Sequence, residues 1–159
     1  MKVVHWMTIV AGIAFVLPAQ APAAIGDPEL VMYRFPGVRD TGESADVGVA
    51  TAFHCTNYSG VQESIRIVVR AFDASLLGNV AVPIDHLATI TALTHPAVIY
   101  IEDTVLLPVG VAVDQGTAAI AATSPSIVCT AMTVDAASAS PIGIPLHGIR
   151  FNPVPGSQE

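Results

Sequence analysis

Beyond Lys2 this chain contains no lysine, and its six basic residues face thirteen acidic ones. The five arginines that remain are scattered, so no basic cluster exists. That argues against nucleic acid and against anionic membrane surfaces as partners. Aromatic residues make up only 6% of the chain, and its one tryptophan, Trp6, lies near the start. Tyr33, Tyr58 and Tyr100 are then the only tyrosines available for stacking, which disfavours sugar binding. There is no Gly-rich phosphate loop, no dinucleotide fingerprint and no G-x-S-x-G elbow, so the familiar nucleotide-binding and serine-hydrolase frameworks are missing. Long apolar runs are scarce as well. The most apolar later stretch, Val105 to Val113, is interrupted by Pro108 and Gly110 and falls short of the roughly 20 residues a membrane helix needs.

What is present begins with Lys2, an uncharged run from Met7 to Leu17, and then Pro18-Ala-Gln-Ala-Pro-Ala-Ala. A basic end, a short apolar stretch and small residues in an A-x-A arrangement are the order of a secretory signal peptide. Cleavage after Ala21 would place Pro22 directly beyond the scissile bond, where its locked φ fits an extended protease site poorly. Residues 1–23 are therefore expected as the signal peptide, with cleavage after Ala23 or, one residue on, after Ala24. An uncleaved anchor is the competing interpretation, and the apolar run is short for it. The expected location is the periplasm, the cell surface or the medium, with no stable membrane insertion once the leader is gone.

About 135 residues would remain, enough for one domain with a real core. Apolar residues there recur with a period of two. Val47, Val49, Thr51, Phe53 and Cys55 alternate against Gly48, Ala50, Ala52 and His54. Ile65, Ile67, Val69 and Ala71 alternate against Arg66, Val68, Arg70 and Phe72. Such alternation is the mark of half-buried strands. Leu30–Phe35, ended by Pro36-Gly37, is a first strand. Asn79–Ile84, Ala88–Leu93, Ala97–Glu102, Val109–Val113, Thr117–Thr123, Ile127–Val134 and Ile144–Phe151 complete the set. Short breaks at Asn57-Tyr58-Ser59-Gly60, Asp73-Ala74-Ser75, Leu77-Gly78-Asn79, Asp114-Gln115-Gly116 and Ser124-Pro125-Ser126 separate them. Strands at this spacing predict an all-β domain over 24–151, an antiparallel β-sandwich, with an immunoglobulin-like topology as its narrower form. Residues 152–159, with Pro153 and Pro155, form a proline-containing tail. It reads as a strand stop that blocks edge pairing, or as a segment offered to a partner.

Cys55 and Cys129 are the only cysteines. In an oxidising compartment an even pair reads first as a disulfide, ahead of a metal ligand or a reactive thiol. Lying on the second and the penultimate expected strands, they would form an inter-sheet bond. Closing so long a loop is worth about 4 kcal/mol in the chain-entropy model. Phe53-His54-Cys55-Thr56-Asn57-Tyr58-Ser59-Gly60, Gln115 to Ile120, Val128 to Ala131 and Arg150 to Gly156 together resemble a set of short exported bacterial proteins of uncharacterised function. The resemblance spans Val47 to Glu159 and implies export and a Cys55–Cys129 bond. It implies no activity.

His54, His86, His95 and His147 are the histidines of the domain. His86 and His95 would make a site with Glu102 and Asp103 only if hairpins brought them together; four separate surface or rim histidines are expected instead. Cys129-Thr-Ala-Met132 with His54 and His147 supplies copper-site residue types, but no histidine closely follows the cysteine and Cys129 would have to be unpaired. Asp85-His86 and Glu102-Asp103 are neighbours in sequence, and neighbours on a strand point to opposite faces. Asn57-Tyr58-Ser59 matches the glycosylation sequon, yet Asn57 reads as a turn residue. No catalytic, metal or cofactor-binding residue is therefore assigned, and no cofactor is expected.

The expected function is binding, to a protein partner or to a second copy. Between Thr104 and Val134 only Asp114 is charged, and so much apolar sequence in a small domain leaves exposed apolar surface. A charge at Ile120 or Val111, whichever faces solvent, should then weaken association. The alternatives are a metal-dependent or hydrolytic enzyme using the histidines with Glu102, Asp103 or Asp135, and a structural subunit of a surface assembly.

Overall fold

The computed structural model describes residues 29–42, 45–100 and 104–151. The expected leader, the segment up to Pro28, Glu102-Asp103 and the 152–159 tail lie outside the described residues. Ten strands form: β1 (Leu30–Asp40), β2 (Val49–Asn57), β3 (Glu63–Arg70), β4 (Leu76–Ile84), β5 (Thr89–Leu93), β6 (Thr104–Leu106), β7 (Val113–Ala122), β8 (Ile127–Asp135), β9 (Ile144–Pro145) and β10 (Ile149–Arg150). They build two five-stranded sheets, β10-β1-β7-β3-β4 and β6-β5-β2-β8-β9. Pairing is antiparallel except between β5 and β6. This is the expected all-β sandwich. No helix of the described residues is long and apolar enough to cross a membrane.

The period-two pattern sets what is inside. Met32, Phe35, Ile65, Ile67, Val69 and Ile120 from the β1 sheet meet Phe53, Cys55, Ala92, Ile127 and Ala131 from the β2 sheet in one cluster. Phe35 lies edge-on to Phe53 with ring centroids 5.9 Å apart. Two polar stitches cross the core. The Thr51 hydroxyl donates to the Arg39 carbonyl at 2.7 Å and accepts from the Arg39 amide at 2.9 Å. The Tyr33 hydroxyl donates to the Ile127 carbonyl at 3.2 Å. Buried polar groups retained in a core must be satisfied in this way. Ile120, one of the two positions considered for an exposed charge, is fully buried, whereas Val111 is 52% exposed.

Cys55 and Cys129 are bonded across a sequence separation of 74 residues, with Cα atoms 4.2 Å apart. They are directly opposed partners on β2 and β8. Both sulfurs lie in the core layer between the sheets, but the bond staples two strands of one sheet and does not join sheet to sheet, which corrects the inter-sheet expectation. The chain positions of two strands do not say which sheet each enters. The same point separates the fold from the immunoglobulin order. Among the seven longer strands, β2–β5 and β3–β7 pair as in that arrangement. The first strand instead lies beside β7, the fourth beside β3 and the last beside β2, so the two end strands have exchanged sheets and β4 has moved with the first.

Further expectations shift. Strand β1 does not stop at Pro36-Gly37; it runs to Asp40 through register shifts around Val38. Ala97–Glu102 does not form a strand over its described part. Instead Pro96 ends the extended run, and Ala97 and Tyr100 fold over the outer face of the β2 sheet against Ala50, Ala52, Leu93 and Val134. Val109–Val113 is mostly irregular: Leu107 and Val109 plug the core over Gly78, and only the short β6 precedes them. Asp114-Gln115-Gly116 lies within β7 and Leu77-Gly78-Asn79 within β4, so neither is a turn. The expected last strand splits into β9 on one sheet and β10 on the other. Gly148 makes that crossing possible, since a Cβ there would sit 2.2 Å from the Phe35 ring.

Candidate functional site

The hairpin between β3 and β4 turns at Asp73-Ala74-Ser75, as its residue types predict. The Asp73 carboxylate accepts the Ser75 amide at 3.0 Å, and the Arg70 guanidinium donates to the Ala74 carbonyl at 2.9 Å. Hydrogen bonds from Ser75 hold the exposed Asp73 carboxyl below its ordinary range. So secured, the turn projects Phe72 into solvent, 83% exposed. Phe72 and Leu77 form one wall of a cleft of about 430 Å³; Val111, Ala112, Val113 and Gln115 form the other. That second wall is fixed by Gly42, whose φ is +66° and whose Cβ, if present, would lie 2.5 Å from the Ala112 amide nitrogen.

Leu77, partly buried against the core, is the cleft's one lining residue from β4, the edge strand of the β1 sheet. Among the described residues no strand lies outside β4. Its nine residues, Leu-Leu-Gly-Asn-Val-Ala-Val-Pro-Ile, carry no charge. Natural proteins usually guard such an edge with lysine, inward charges or a bulge. Among the described residues Pro83 and a register shift near Leu76 are the only guards. The arrangement offers backbone hydrogen bonding and apolar contact, the two elements of strand addition.

The histidines are dispersed. His86 lies in the β4–β5 turn, where its Nδ1 accepts the Gly60 amide at 3.1 Å. His95 lies beyond the other end of β5, buried, with Nε2 2.9 Å from the Val47 carbonyl and Nδ1 3.1 Å from the Asp40 carboxylate. The two do not converge. His147 is exposed between β9 and β10. Asp85 pairs with Gln62 at 2.6 Å, separately from His86. Asp135 accepts the Ala137 amide at 3.0 Å. Cys129 is consumed by the disulfide and cannot supply a copper thiolate. No group of three His, Cys, Asp or Glu among the described residues could hold a metal ion.

His54 has a richer setting, which the sequence did not reveal. On the outer face of the β2 sheet its Nδ1 lies 3.0 Å from the Thr91 hydroxyl, its ring 5.2 Å from that of Tyr100. The Tyr100 hydroxyl reaches the Met132 sulfur at 3.8 Å. Burial lowers the His54 pKa below 6.5 and raises that of Tyr100 above 10.0. Among the described residues no carboxylate or nucleophile bonds to this group, and Tyr100 and Met132 pack against a small second core of Ala50, Ala52, Leu93, Ala97, Val134 and Ala136. Asn57 is fully buried and fully used. Its amide donates to the Val61 and Ile84 carbonyls at 2.7 and 2.9 Å, and its oxygen accepts the Ser59 amide at 2.8 Å. It is the expected turn residue.

No family model matches the chain, and no curated protein matches it. A solved structure, that of Thermotoga maritima 1070, is similar to it at 12% identity, covering 74% of this chain and 92% of that one with a TM-score of 0.43.

Proposed function

We propose that this protein is an exported β-sandwich domain that acts by binding, through the β4 edge and the cleft beside it. The observation that carries the proposal is a nine-residue uncharged edge strand, with a cleft near its first residues that the exposed Phe72 and Val111 line. Exposed apolar surface of this kind in a small domain marks interaction sites. Export is supported by the leader-like first 23 residues and by a disulfide, a bond that persists in oxidising compartments. No described cluster favours the enzymatic alternative.

Binding of this origin depends little on salt, because screening acts on charges and not on apolar burial. The test is to measure self-association and capture of an envelope partner by wild type, Phe72→Ser and Val111→Lys across a wide salt range. Both substitutions should weaken binding while changing unfolding by no more than about 0.5 kcal/mol. A strictly monomeric wild type that retains nothing from envelope extract refutes the proposal. N-terminal sequencing of the exported protein should return Ala24 or Ile25; a product beginning at Met1 in the inner membrane refutes export.

A further inference from the structure

The binding reading leaves the occupant of the edge open, and this inference rests on it: we propose that β4 pairs antiparallel with β4 of a second copy, about Val80, so that two β1 sheets become one continuous sheet. The backbone directions follow from the neighbouring strand. The Ser64 amide donates to the Thr123 hydroxyl at 3.0 Å, and the Ser64 carbonyl accepts the Thr123 amide at 3.1 Å. The backbone of Ser64 therefore faces β7 and turns away from β4. Its partner on β4 is Pro83, so no ladder bond crosses there, and the proline, which has no N–H to give, faces outward. Alternation along an antiparallel strand then turns the N–H and C=O of Ala81 and Asn79 outward as well.

Val80 is the midpoint of β4. Pairing about it sets Asn79 of each copy opposite Ala81 of the other, each exchanging both backbone bonds. Leu77, the residue at the register shift of β4, falls opposite Pro83. The missing N–H thus lands at the two ends of the interface. No ionisable residue lies between Leu76 and Ile84, so the pairing sets no like charges against each other. The edge is therefore complementary to itself in hydrogen bonding and free of charge repulsion.

The test uses the full chain. Ala81→Pro removes an outward N–H and leaves the β3–β4 ladder whole. Val80→Cys places two thiols on the twofold axis, in a narrow pair whose Cα atoms lie about 4.5 Å apart, within disulfide reach. Sedimentation of wild type should show a dimer. Ala81→Pro should weaken it by about tenfold or more with unchanged thermal unfolding, and Val80→Cys should oxidise to a covalent dimer. A monomeric wild type at every concentration overturns the inference; partner capture lost on Phe72→Ser would then leave the binding reading standing. A dimer that survives Ala81→Pro while Val80→Cys keeps free thiols also overturns it, and moves self-association to another face. If Ala81→Pro does not fold, Val80→Cys decides: a covalent dimer supports the pairing, free thiols overturn it.

Discussion

The two sheets solve the problem of exposed β-structure in opposite ways. The β2 sheet is closed: a disulfide joins β2 to β8, Ala97 and Tyr100 cover part of its outer face, and its edges end in the short strands β6 and β9. The β1 sheet has no covalent tie. Its outer face carries Arg66, ion-paired to Glu29 at 2.6 Å, and Arg34 over the Phe151 ring, and one of its edges is the long, uncharged β4. A small domain held together mainly by one sheet can leave the other available. The proposed binding function would use the open edge of the β1 sheet.

The largest effect should come from removing the staple of the closed sheet. Cys55→Ala with Cys129→Ala is expected to cost about 4 kcal/mol, measured by denaturant unfolding of oxidised wild type against the double variant. A difference near zero would mean that the β2 sheet owes its order to packing alone.

Next comes the wall between the sheets' loops. Gly42→Ala forces an alanine into a φ of +66° and against the Ala112 backbone, at a cost of about 2 kcal/mol. Thermal unfolding reads that cost, and the cleft should lose affinity for whatever it binds because its second wall has moved. Unchanged binding would detach the cleft from function.

A smaller effect separates the sheets by pH. His54 lies on the closed sheet, and burial holds its pKa below 6.5. The unfolded chain takes up that proton near the ordinary value, the folded chain only at lower pH. The contribution is therefore full above pH 6.5 and declines as pH falls through 6.5 and then through the folded pKa. Unfolding of wild type and His54→Gln between pH 8 and pH 5 should show the extra acid sensitivity in wild type alone. Parallel curves would remove His54 as its source.

The smallest effect on stability should be at the open surface. Val111→Lys is expected to change unfolding by no more than about 0.5 kcal/mol while weakening association. Ile120→Lys, on the same apolar span, buries an unpaired charge and should prevent folding. Equal behaviour of the two variants would contradict the assignment of inside and outside.

Local alternation in the sequence was enough to determine the class of fold and most of its strands. Ile65, Ile67 and Val69 can only share a face when extended, and β2, β3, β5 and β8 lie within two residues of where that alternation placed them. The pairing of the cysteines and the role of Asn57 were legible for a similar reason, since each rests on the chemistry of one or two residues. The rest required the third dimension. Apolar character marks burial but not the form that buries it, so Ala97 and Leu107, expected near or on strands, serve as plugs. Sheet membership depends on pairing between distant segments, which period-two patterning does not encode; hence the disulfide within one sheet and the exchange of the end strands. The candidate site is of the same kind. Phe72, Leu77 and Val111 are unremarkable apolar residues in a list of letters, and only folding makes β4 an edge and places them beside it, because an edge is defined by what does not pair with it.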